Sequence, residues 1–111
     1  MKITNLSKNK TIASGAVEPK GLLTQSIGLI GAKKPYPLIL RTSLGIHTFG
    51  VRFPIDILVL DKGDSVVSVK ESLAPFRIFV WNPKFSKVIE LPAGTIKKTK
   101  TSVGDKLSIN D

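Results

Sequence analysis

The stretch Gly45-Ile-His-Thr-Phe-Gly-Val-Arg-Phe-Pro-Ile-Asp-Ile-Leu-Val-Leu-Asp61 decides how this chain is read. Ile55 to Leu60 is apolar except at Asp56, far too short to span a bilayer and of the right length for a buried strand. Pro54 removes a ladder donor just ahead of it, so Ile46 to Phe53 and Ile55 to Leu60 read as two strand pieces meeting at an edge, bulge or bend. His47, Thr48, Arg52 and Asp56 are set into this apolar background. In strand alternation His47, Phe49 and Val51 share one face, and Ile46, Thr48 and Arg52 the other. A polar side chain buried in such a strand must find partners. For Asp56 these are Arg52 or free backbone N–H groups.

The same grammar runs outward in both directions. Toward the C-terminus, Asp61-Lys-Gly-Asp64 is a hairpin turn and Ser65 to Val69 the returning strand, with Val67 and Val69 on one face. Phe76 to Trp81 and Lys84 to Leu91 read as a hairpin around Asn82-Pro83. Pro92-Ala-Gly94 ends that run, Thr95 to Thr101 reads as one helical turn, and Gly104-Asp105 leads into a last strand, Lys106 to Ile109. Toward the N-terminus, Met1 to Leu6 and Thr11 to Val17 form a hairpin around Ser7-Lys-Asn-Lys10. Pro19 opens a short helix over 19–30, with Leu22, Leu23, Ile27 and Ile30 near helical spacing and Gly21 and Gly28 weakening it. Pro37 then cuts the helix pattern, and Pro37 to Leu40 resumes as a strand. Eight or nine short strands with one short helix predict a mainly β, compact jelly-roll or sandwich-like fold, or a small barrel, in one domain spanning 1–111.

Composition closes several routes. The 111 residues contain no cysteine and one histidine. Disulfides, thiolate zinc sites, iron–sulfur clusters and cysteine nucleophiles are excluded, as is any cage of several histidines. Met1 to Lys10 carries lysines with no apolar run behind them, so a cytoplasmic location without membrane attachment is expected. Gly28, Gly31, Gly45 and Gly50 form neither a P-loop nor a dinucleotide fingerprint, and no serine stands in a nucleophile elbow. No cofactor and no metal is assigned.

Seventeen Lys and Arg against eight Asp and Glu leave a net charge of +9. Such an excess draws nucleic acid or an acidic partner. Only three of the seventeen, Arg41, Arg52 and Arg77, are arginine, fewer than dedicated phosphate readers use.

Two places concentrate chemistry. His47, Thr48, Arg52 and Asp56, together with Glu90 in Val88-Ile-Glu-Leu-Pro-Ala-Gly94, form a candidate polar pocket. A histidine with two carboxylates is a set that can hold a hard divalent ion or move a proton. Isolated carboxylates in apolar strands more often bond backbone amides, which favours a binding or structural module over a metal-dependent enzyme. The second place is Pro75 to Lys87, where aromatics interleave with Arg77, Lys84 and Lys87. With Trp81 this is a candidate nucleic-acid contact by base stacking beside phosphate binding. Its alternative is ordinary hairpin packing, with Phe76, Ile78 and Val80 facing one way and Arg77, Phe79 and Trp81 the other.

Taken in order, Gly21-Leu-Leu23, Ile46 to Asp61, Ala74-Pro75, Val88 to Gly94 and Gly104-Asp105 resemble the family known as domain of unknown function 192. The resemblance covers about Ile12 to Ile109, and His-Thr-Phe-Gly-x-Arg-Phe-Pro-Ile-Asp is its most specific string. It implies a compact, mainly β, jelly-roll-like fold with a short helix carrying the Gly-Leu-Leu segment. The family has no settled activity, so the resemblance transfers no catalytic residue. This chain departs from the pattern where many members have Gly-Leu-Met, here ending in Leu23, and where others carry Trp-Met-x-Asn, here His47-Thr48-Phe49.

Overall fold

A computed structural model describes residues 1–19, 29–43 and 45–111. The helix expected over 19–30 falls mainly on residues outside that set. Nine strands are described: β1 Lys2–Asn5, β2 Lys10–Ala13, β3 Leu38–Arg41, β4 Gly45–His47, β5 Ile55–Leu60, β6 Val66–Leu73, β7 Ile78–Val80, β8 Lys87–Pro92 and β9 Leu107–Asn110, with one helix, α1 Thr95–Thr99. The mainly β reading holds, and all pairings between these strands are antiparallel.

The central sheet has the order β3-β8-β5-β6. Every residue of β5 is buried, as the apolar run predicts for a strand covered on both faces. Alternation sorts its side chains: Leu58 and Leu60 join Ile39, Ile89 and Leu91 in one core, while Ile55, Ile57 and Val59 join Leu38, Leu40 and Val88 in another. The three-stranded sheet β2-β1-β9 covers the first face through Ile3, Ile12 and Leu107, and α1 adds Ile96. The β4–β7 ribbon lies on the second face, where Ile46 and Phe79 pack beside Trp81, Val51 and Leu29.

Three local expectations change. The strand beginning at Ile46 stops at His47, because the chain turns at Phe49-Gly50. Gly50 has φ +86°, and a Cβ there would lie 3.0 Å from the Ile30 side chain, so glycine suits both the turn and the contact. Val67 and Val69 pack into different cores, because a bulge between the Val59 and Leu60 pairings inserts Val67 and reverses the alternation. Finally, Phe76 to Trp81 does not form a hairpin with the strand after Asn82-Pro83. β7 pairs with β4, through Gly45↔Val80, Ile46↔Phe79 and His47↔Ile78. β8 pairs with β3 and β5. The run Val88 to Leu91, buried on both faces, fits a strand between two neighbours in the middle of a sheet.

Candidate functional site

Register separates the residues of the expected polar pocket. Glu90 lies opposite Leu38 and Ile57, residues of the ribbon-side core, and directly paired residues share a face. Asp56 lies opposite Leu91, a residue of the other core. The two carboxyls therefore sit on opposite faces of one sheet. His47 and Arg52 are exposed, while Thr48 is fully buried. Asp56 and Glu90 therefore do not open onto one concavity. Among the described residues no three His, Asp or Glu side chains are grouped to hold a metal ion.

Asp56 finds backbone amides rather than Arg52. Its Oδ1 accepts the Ser72 N–H at 2.8 Å and its Oδ2 accepts the Ile96 N–H at 2.8 Å. Ser72 stands at φ +50°, within the second irregularity of the β5–β6 pairing. The first turn of α1 follows Gly94, which offers no side-chain cap. One carboxylate thus fixes a bulge and substitutes for a helix cap. Its role is structural.

Glu90 is different. It is 5% exposed, and among the described residues no hydrogen bond or ion pair reaches its carboxyl. Burial among apolar neighbours pushes its pKa from 4.5 up to about 7, because desolvation penalises the charged form. A third carboxyl, Asp105, moves the other way. Burial alone would raise it, but hydrogen bonds from Asn5, Lys8 and the Ser102 amide, with the Lys8 charge, lower it to about 2.

Thr48 is the fastener of the ribbon. Its Oγ1 donates to the Ala74 carbonyl at 2.7 Å and accepts the Arg77 N–H at 2.9 Å. Its own N–H donates to the Arg77 carbonyl at 2.9 Å, and its carbonyl accepts the Phe76 N–H at 3.3 Å. The loop after β4 and the loop before β7 are locked together through this one buried residue. Gly45 allows the two strands to close, since a Cβ there would meet the Phe79 carbonyl oxygen at 2.7 Å.

That lock sets out a row of exposed apolar groups. Phe76 is 66%, Ile78 64%, Val80 64% and Phe49 47% exposed. The rings of His47 and Phe49 lie 5.4 Å apart between centroids, and those of Phe49 and Phe76 lie 6.1 Å apart. His47 Nδ1 accepts the Phe49 N–H at 3.2 Å, which steadies the first pair. Phe76 is held at φ +61°, a region that costs an ordinary L residue roughly 1–2 kcal/mol.

The expected nucleic-acid set divides as well. Arg77 and Lys84 are exposed, with Lys84 Nζ 5.8 Å from the centre of the Phe85 ring. Trp81 is only 9% exposed, and its indole N–H donates to the Phe85 carbonyl at 2.8 Å, so it is core and not a stacking surface. Lys87 pairs with Asp64 in a groove of about 250 Å³ shared with Arg41 and Glu18, on the side facing Ile39 and Ile109. The exposed phenylalanine rings are those of Phe49 and Phe76, neither of which is among the contact residues expected from the sequence. The Gly50 turn and the Ala74-Pro75-Phe76 corner were the available signals that both leave the strands.

Comparison with known proteins agrees with this architecture. UPF0127 protein PH1112 of Pyrococcus horikoshii is 31% identical over 111 residues, covering 95% of this chain and 96% of its own. UPF0127 protein PYRAB11210 of Pyrococcus abyssi is 39% identical over 71 residues, 64% of this chain and 60% of its own. A crystal structure of a protein of unknown function from Novosphingobium aromaticivorans superposes with a TM-score of 0.81 at 15% identity, over 97% of this chain and 82% of that one. R01717 of Sinorhizobium meliloti 1021, described as a candidate transcription regulator, superposes with a TM-score of 0.83 at 18% identity, over 96% and 89%. These two likenesses establish the fold. Residues 38–109 match the profile of DUF192, described as "Uncharacterized ACR, COG1430", and with that match this chain belongs to the DUF192 family.

Proposed function

We propose that this protein is a binding module whose docking surface is the outer face of the β4–β7 ribbon with the rings of His47, Phe49 and Phe76. One observation carries the reading. Phe76 is both the most exposed large apolar residue among those described and held in a left-handed backbone conformation. Neither feature aids folding. An exposed ring gains little from burial, and backbone strain of this kind concentrates where a surface is presented to something else. Ile78 and Val80 extend the same face, making it a contiguous apolar strip of the sort that marks interaction sites. We place this binding in the cytoplasm, as expected from the sequence, and assign no catalytic residue.

The test asks whether the strip is kept for folding or for binding. The combined variant Phe76→Gly, Ile78→Thr, Val80→Thr removes the apolar surface, relieves the left-handed strain and retains β-branched residues in β7. Its thermal midpoint should stay level or rise by a few degrees, about 4 °C for each kcal/mol recovered. A fall of about 8 °C or more would make the strip part of the fold's own core and end this reading.

A further inference from the structure

We infer that the occupant of this surface is single-stranded nucleic acid, its bases stacking on the rings of Phe49, Phe76 and His47 and its phosphates meeting Arg52, Arg77 and Lys84. The inference rests on the docking face proposed above and names its partner.

Charge restricts the partner first. The segments that build the face, Gly45 to Phe53 and Pro75 to Phe85, contain Arg52, Arg77 and Lys84 and no Asp or Glu. All three cations are exposed, and the three ion pairs among the described residues lie elsewhere, at Lys8–Asp105, Arg41–Glu18 and Lys87–Asp64. A second copy of this chain would bring another +9 against a positive rim, so self-association through this face is opposed. The complementary occupant is a polyanion.

The surface then restricts the kind of polyanion. An acidic peptide offers carboxylates, which balance the rim but leave the rings bare. A nucleic acid strand offers flat apolar faces and phosphates in alternation. Three rings follow one another at centroid separations of 5.4 and 6.1 Å, tilted by 39° and 60°, and stacking on such rings is open to any base. A duplex hides those base faces in its own stack, so the strand must be single. Thr48, through its bonds to Ala74 and Arg77, holds the ring-bearing loops in place before a ligand arrives, which lowers the ordering cost of binding.

The experiment is a fluorescence-anisotropy titration of the full chain against a labelled short oligothymidylate, its duplex with oligoadenylate, and a labelled oligoglutamate peptide. Three phosphate contacts predict a log–log salt slope of about −2, or roughly 20-fold weaker binding between about 50 and 200 mM salt. Phe49→Ala and Phe76→Ala should each weaken single-strand binding by about tenfold or more. Arg77→Ala should flatten the salt slope by about 0.7. Lys97→Ala, on the exposed side of α1 over the opposite core, should change binding less than twofold.

Absence of oligothymidylate binding at low salt overturns the inference. So does equal affinity for the duplex, or an affinity insensitive to both phenylalanines. If oligoglutamate binds instead and Phe76→Ala abolishes that binding, the nucleic-acid assignment fails while the docking face stands. If no ligand responds to either phenylalanine and the combined variant above is destabilised, the docking face itself fails.

Discussion

Glu90→Gln isolates the most unusual group in the interior. Glu90 sits on the central strand β8 with no partner for its carboxyl among the described residues, and its pKa rises from 4.5 in the unfolded chain to about 7. Below about pH 4.5 the group is protonated in both states, and its contribution to stability is fully present. Between about 4.5 and 7 the unfolded chain releases the proton while the folded chain keeps it, so stability falls as pH rises. Above about 7 both states are ionised and the loss is complete. A displacement of about 2.5 pH units at about 1.4 kcal/mol each amounts to about 3.5 kcal/mol, or roughly 15 °C in the thermal midpoint of a chain this size. The assay is thermal unfolding followed by circular dichroism at intervals from about pH 4 to 8. The native sequence should lose stability across that range. Glu90→Gln, which cannot ionise, should lose most of the slope. A native profile that is flat or rising between about pH 5 and 7, or a variant with an unchanged slope, would mean that Glu90 is not held protonated by its burial.

Three further outcomes follow from the same geometry. Asp56→Ala leaves the Ser72 and Ile96 amides without their acceptor and should cost about 3 kcal/mol in chemical denaturation, with faster hydrogen exchange at both amides. Trp81→Ala should lower stability by about 3–5 kcal/mol, because it empties core volume and strands the Phe85 carbonyl; a change in oligonucleotide affinity without loss of stability would contradict its burial. Asp105, held at about 2 by Asn5, Lys8 and Ser102, contributes stability above about pH 4 that disappears as pH falls through 2. Asp105→Asn should therefore be less stable at neutral pH, and its acid unfolding should be shallower, read by fluorescence of Trp81.

Much of the fold is legible in the residues because it is written locally. The unbroken apolar run Ile55 to Leu60 can only be a strand covered on both sides, and it forms β5 with those bounds. The turn Asp61 to Asp64 is built from its own side chain, Asp61 Oδ1 accepting the Gly63 and Ser65 amides at 2.9 Å. What is not local is which strand pairs with which. Nothing in Phe76 to Trp81 says that β7 will leave β8 for β4, since the choice is made by Thr48 bonding across 26 and 29 residues.

The candidate site suffered most from this. Asp56 and Glu90 look alike in sequence, each a single carboxyl within an apolar strand, yet the sheet puts them on opposite faces. One meets two backbone amides and the other meets none. The aromatic segment misled in a similar way. Trp81 has the composition of a contact residue but lies on the inward side of the alternation with Phe79. Phe76 lies on the outward side with Ile78 and Val80, and its exposure follows from the corner at Ala74-Pro75, not from its own chemistry.

The proposed binding surface is one exposed face, the β4–β7 ribbon with the rings of His47, Phe49 and Phe76. The most direct measurement is an amide chemical-shift titration of the 15N-labelled chain with a short oligothymidylate at low salt. Shifts concentrated in Gly45 to Gly50 and Phe76 to Val80, with α1 and β9 silent, are the result expected. Shifts spread over the lysines of the opposite side, or centred on the Arg41–Lys87 groove, would contradict it.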